Sequence, residues 1–110
     1  MNAPKKVPKP GFYYHHKHDQ SGQINNYAYE VLGVGFHTED DCRPEDMNLV
    51  VYRPLYESPI YKAGKFFYLR PLQMWTGDVI KDGKTSCRFQ KITDEETLFK
   101  LSTIRDQMYG

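Results

Sequence analysis

Tyr27-Ala28-Tyr29-Glu30-Val31-Leu32-Gly33-Val34-Gly35-Phe36 is the stretch on which the fold turns. Val31, Leu32, Val34 and Phe36 put apolar groups on both faces of an extended segment. Gly33 and Gly35 interrupt it, and glycine inside a strand marks a bulge or a sharp bend. A strand that is buried on both sides and bends belongs in a small curled sheet. Before it, Phe12-Tyr13-Tyr14-His15-His16-Lys17 is aromatic and suits a strand, and the polar run 18–26 between them is a loop. After it, Leu49-Val50-Val51-Tyr52-Arg53 combines β-branched and aromatic residues, the clearest strand pattern in the chain.

Further strands are predicted over 65–70, 78–81 and 85–92. Asp82-Gly83 supplies a tight hairpin turn between the last two. Leu72 to Trp75 reads as one turn of helix, with Met74 and Trp75 in the core. Residues 55–61 read as irregular, and the acidic run 39–46 as an exposed loop. Thr93-Asp94-Glu95-Glu96 has the form of a capping box with Thr93 as N-cap. Leu98, Leu101, Ile104 and Met108 then lay an apolar stripe on a C-terminal helix. The expected fold is mainly β: a small SH3-like barrel or roll of five to six short strands with one C-terminal α-helix. Closure is expected because it removes exposed strand edges. Residues 1–10 read as a flexible Lys/Pro-rich arm, 11–93 as the barrel domain, and 94–110 as a helix packed on the barrel or on a partner.

A chain of 110 residues is a prior for one domain. Fifteen basic against fourteen acidic residues leave a formal charge of +1, which removes the simplest case for nucleic-acid binding. A local patch from the lysine arm stays open. No apolar run is long enough to cross a membrane, and the Lys- and Pro-rich start lacks the apolar centre of a secretory signal. Cys42 and Cys87 read as reduced thiols, so the expected location is cytoplasmic.

Motifs for catalysis or cofactors are missing. Gly33-Val34-Gly35 is not a phosphate-cradling loop, and no nucleophile elbow, paired catalytic carboxylates or zinc-finger spacing occurs. His16 and His18 share a strand face, but further ligands at metal-site spacing do not follow. No cofactor or metal is expected. His37 and Glu39 close the second strand, and are read as satisfying local backbone, as contacting a ligand or as an acid–base pair. Arg53 shares a face with Leu49 and Val51, and Arg70 with Phe66 and Tyr68. An arginine on an apolar face needs a carboxylate or a ligand. Two readings stay open: an internal ion pair with Glu30 or Glu39, or an anion clamp beside stacking tyrosines.

Five stretches in order resemble the family called domain of unknown function 1653. They are Gly11-Phe12-Tyr13-Tyr14-His15-His16-Lys17; Tyr29-Glu30-Val31 through His37-Thr38-Glu39; Val50-Val51-Tyr52-Arg53-Pro54-Leu55-Tyr56; Tyr68-Leu69-Arg70-Pro71 with Met74-Trp75; and Arg88-Phe89. The resemblance covers roughly residues 10–93. It implies a small SH3-type β-barrel or roll and no established activity. His18 replaces the glycine usual after the first lysine, the acidic loop is longer, and the C-terminal helix lies outside the common core.

The polar members of these motifs are His15, Lys17, His37, Glu39, Tyr52, Arg53, Tyr56 and Arg70. If they converge at one mouth, they suit a non-enzymatic binding module for a small anionic or planar ligand such as a nucleotide or base. The alternative is a protein–protein interaction or homo-oligomer assembly module, with the helix 94–108 as a dimer surface.

Overall fold

The computed structural model describes residues 7–39, 41, 43–44 and 47–110. Seven strands and three helices follow in the order β1 (Gly11–His15), β2 (Ala28–Phe36), β3 (Asn48–Pro54), α1 (Pro59–Gly64), β4 (Tyr68–Pro71), α2 (Leu72–Thr76), β5 (Asp78–Lys81), β6 (Lys84–Cys87), β7 (Phe89–Lys91) and α3 (Glu95–Tyr109). Five strands form one antiparallel sheet in the order β4-β3-β2-β1-β7, while β5 and β6 pair only with each other.

The sheet is open, which corrects the expectation of a closed barrel. β4 and β7 are its edges. They span four and three residues, β4 ends in Pro71, and the β5–β6 hairpin is closed on itself. Shortness and a proline protect these edges in place of closure. The sheet nevertheless curls strongly. Four strand spacings would hold flat edges about 19 Å apart. Yet the Arg70 guanidinium carbon, from β4, lies 5.3 Å from the centre of the Phe89 ring on β7. Side chains, not backbone hydrogen bonds, bridge the gap.

Alternation along the strands sorts the core into two layers. The concave face carries Tyr13, Tyr29, Val31, Val50, Tyr52 and Phe89, closed over by Leu72 and Trp75 of α2. The convex face carries Phe12 and Ala28, which pack with Leu55, Ile92 and Leu101 of α3. The register between β2 and β3 slips between Val31 and Gly33, so the anticipated bulge exists and Leu32 is the extra residue. Its side chain is 37 % exposed.

Several boundaries differ from the sequence expectation. The N-cap of α3 is Asp94, not Thr93: its Oδ2 accepts from the Thr97 backbone N–H at 2.9 Å and from the Thr97 hydroxyl at 2.7 Å. Residues 59–64 form α1, capped by Ser58 with Pro59 in the first turn, where irregular chain was expected. Phe66 and Phe67 precede β4 and are exposed, and Met74 is exposed as well, so none of them is core. The 85–92 segment is divided into β6 and β7 at Arg88. At the β5–β6 turn, Asp82 and Gly83 have φ of 53° and 76°, as the hairpin signal requires.

The convex face is fastened to α3 by charge as well as packing. Glu30, buried on β2, accepts from Arg53 Nε and Nη2 through Oε1, both at 2.8 Å, and from Arg105 Nη1 through Oε2 at 2.8 Å. The Arg53 guanidinium also sits 4.0 Å from the centre of the Tyr109 ring, whose hydroxyl donates to the Pro54 carbonyl at 2.6 Å.

Candidate functional site

The concave face is an aromatic surface with a cationic rim. Phe89 stacks on Trp75 with ring centres 3.6 Å apart and planes nearly parallel. Tyr52 meets Trp75 edge-on at 4.9 Å, and Tyr13 meets it at 5.6 Å. Tyr29 lies among Tyr52, Tyr56, Tyr68 and Phe89, and its hydroxyl shares a 2.6 Å hydrogen bond with that of Tyr56. Burial raises the proton affinity of both hydroxyls, so they stay neutral over the physiological range.

Basic groups gather where β1, β4 and β7 meet. The His15 ring stands edge-on to Phe89 at 5.0 Å and lies 4.2 Å from the His16 ring. The His16 backbone N–H donates to the Arg88 carbonyl, holding the end of β1 against the β6–β7 junction. Burial lowers the pKa of His15 to about 4, and the charges of His16, Arg70, Lys17 and Arg88 lower it in the same sense. The Lys17 backbone N–H donates to His15 Nδ1 at 3.2 Å, which requires that nitrogen to be unprotonated. The ring is therefore neutral at pH 7.

The two arginines at this rim have no carboxylate at ion-pairing distance among the described residues. Arg70 makes one long hydrogen bond, Nε to the Tyr52 hydroxyl at 3.3 Å. Arg88 Nε is buried without a hydrogen-bond partner. A buried donor left unsatisfied costs roughly 1–3 kcal/mol, and more when charged.

The residues singled out in the sequence separate into three places. His15, Lys17, Tyr52 and Arg70 come together here, with Tyr56 joined through Tyr29. Arg53 projects from the opposite face into the Glu30 pair, which is the ion-pair alternative for that residue. His37 and Glu39 lie beyond the far end of β2, where the Glu39 backbone N–H donates to His37 Nδ1 at 3.1 Å. That contact satisfies local backbone. His18 Nδ1 bonds the Asn26 carbonyl at 2.7 Å and its ring stacks on Tyr14. Among the described residues no group of three or more metal-ligating side chains forms. Cys87 is free and exposed, while Cys42 lies outside the described residues.

Arg88 is the functional candidate that the sequence pattern did not single out. It sits between two short strands whose pairing is not encoded nearby; the β1–β7 pairing sets it beside His15, and the curl of the sheet brings Arg70 within electrostatic reach of the same ring. Tyr27 is a second. It closes the β1–β2 loop at φ 51°, a left-handed conformation that costs a residue with a side chain roughly 1–2 kcal/mol. Its ring stacks on that of His15 with centres 5.7 Å apart and is still 41 % exposed.

The model of a protein family described as "Protein of unknown function (DUF1653)" matches residues 11–91. The chain belongs to the DUF1653 family. It is also similar to the crystal structure of a DUF1653 protein from Bordetella bronchiseptica, with 29 % identity and a TM-score of 0.53, over 79 % of this chain and 94 % of that one. The search of curated proteins gave no match. The DUF1653 match ends before α3 begins. Each of the five stretches that carry the DUF1653 resemblance sends a side chain to the concave face: His15, Tyr29, Tyr52, Arg70 and Phe89. No helix among the described residues is long and apolar enough to cross a membrane.

Proposed function

We propose that this DUF1653 chain is a non-enzymatic binding module whose concave face takes a small anionic ligand with a planar group, such as a nucleotide. The observation that carries the reading is Arg70, set against the Phe89 ring without a carboxylate at ion-pairing distance among the described residues, with the buried, unpartnered Arg88 Nε close enough to act on the same His15. The arginines would pair with the anion, and the aromatic wall would take the planar part. His15, kept neutral with Nδ1 accepting from the Lys17 N–H, would donate a hydrogen bond to the anion from Nε2. The curl of the 11–93 segment suits an SH3-like roll closed by side chains. The free thiol of Cys87 suits a reducing, cytoplasmic setting.

A thermal-shift screen with inorganic phosphate, nucleoside monophosphates and nucleosides tests this. A ligand that binds only the folded state adds about 2.7 kcal/mol of stability at a hundredfold excess over its Kd. The expected result is a shift with phosphate-bearing compounds that disappears in Arg70→Ala and Arg88→Ala. Shifts that persist in both variants would move the site elsewhere.

The assembly alternative rests on Phe66, Phe67 and Leu69, all more than half exposed beside the edge strand β4. Sedimentation of the purified chain tests it, and a mass that does not change with concentration or with Leu69→Lys would remove it.

A further inference from the structure

On the side of the molecule where α3 ends, a groove of about 1110 Å³ runs between the β1–β2 loop, the start of α1 and the last turns of α3. Ordinary small-molecule pockets enclose about 300–1,000 Å³. This groove is larger than that and lies open to solvent, so it suits an extended segment better than a compact ligand. Tyr27, Tyr56 and Tyr61 line it, and Glu57 is its one charged lining residue.

The hydroxyls of Tyr56 and Tyr61 are already engaged, with Tyr29 and with the Met108 carbonyl. Their rings thus offer apolar surface and not hydrogen bonds. Gln23 and Gln107 also line the groove, and their side-chain amides make no hydrogen bond among the described residues. The groove therefore presents flat rings, spare amide donors and one negative charge. A polyproline II segment has the complementary chemistry. It offers pyrrolidine rings to stack on aromatics and solvated carbonyls that need donors. It lacks N–H groups at its prolines and so asks for few acceptors. Glu57 adds a preference for a basic residue in that segment.

We infer that this groove docks a proline-rich, lysine-bearing peptide of a partner protein in the polyproline II conformation. Tyr27 is the anchoring ring. Its left-handed backbone holds an aromatic side chain out at the groove, in a place where glycine or asparagine would cost less. The groove carries the opposite charge to the Arg70–Arg88 rim and adjoins it at Tyr27, whose ring stacks on His15.

The test is a titration of the full chain with a blocked peptide of repeating Pro-Pro-Lys, followed by amide and tyrosine-ring NMR signals. The expected result is saturable shifts at Tyr27 and at the Gln23 and Gln107 side chains. Tyr27→Gly suits the backbone but gives up the stack on His15, so it should leave the chain folded with a melting temperature close to that of the parent while weakening binding about tenfold. Glu57→Gln should weaken it about three- to fivefold. Arg70→Ala should leave peptide binding unchanged, which keeps this groove distinct from the anion site. Equal shifts with repeating Gly-Gly-Lys, binding that survives Tyr27→Gly, or no shift at these residues would each overturn the inference.

Discussion

Replacing Arg53 and Arg70 one at a time by alanine tests whether two arginines, each followed by proline, have opposite roles. Arg53 gives Glu30 two 2.8 Å hydrogen bonds in a setting where its own side chain is 18 % exposed and that of Glu30 is 11 % exposed. Removing one partner from a buried pair costs about 3–5 kcal/mol because the other charge is stranded. Arg105 still holds the second oxygen of Glu30, so the loss falls just below that range, at about 2–3 kcal/mol. Arg70 loses a 3.3 Å hydrogen bond and its contact with the Phe89 ring. A cation over an aromatic contributes about 0.5–1 kcal/mol, and removing a charge from beside Arg88 and His15 offsets part of it. The expected cost is below about 1 kcal/mol.

Urea denaturation followed by far-ultraviolet circular dichroism measures both. With a slope of about 2 kcal/mol/M, Arg53→Ala should lower the midpoint by about 1–1.5 M and Arg70→Ala by less than about 0.5 M. If Arg70→Ala costs as much as Arg53→Ala, Arg70 is a structural residue and the reasoning behind the anion site fails.

Further outcomes are expected at other places. His15 has a folded pKa of about 4 against 6.5 unfolded, so the unfolded chain binds more protons within that window. Stability should therefore be complete above pH 6.5 and fall toward pH 4, by roughly 1 kcal/mol once partial exposure is allowed for. Urea midpoints on either side of the His15 transition, in neutral and in mildly acidic buffer, measure this, and His15→Gln should flatten the difference. Added phosphate should raise the His15 pKa toward its ordinary value in an NMR titration, and an unmoved pKa would count against an anion at that rim. Asp94→Ala should lower the melting temperature while Thr93→Ala leaves it in place; the reverse order would restore Thr93 as the cap of α3. Gly83→Ala should cost about 1 kcal/mol at its positive φ, read from the same urea curves.

Local chemistry made much of this fold legible. The Asp82-Gly83 turn, the bulge beside Gly33 and the stripe on α3 all follow from spacing within a few residues. The α1 helix was equally available, since Ser58-Pro59 is an N-cap followed by a proline in the first turn, but the intervening polar residues hid it. Closure was not legible. Whether β4 and β7 pair depends on residues roughly twenty apart in sequence, and although Asp82-Gly83 signals the β5–β6 hairpin, no local signal reports that this hairpin stands apart from the sheet. The site divided in the same way. Alternation placed Arg53 with Val51, and Glu30 is its cross-strand partner by register. Arg88 needed the β1–β7 pairing to lie beside His15, and Arg70 needed the curl of the sheet to join it, so their meeting was out of reach of periodicity.

The stack of Trp75 on Phe89 has a practical consequence. Trp75 is the only tryptophan in the chain, it is 3 % exposed, and it rests on the ring that Arg70 also approaches. The molecule thus contains its own optical reporter at the concave face. Its emission will register any occupant of that face without an attached dye, and one unlabelled sample can be followed from ligand titration through to unfolding.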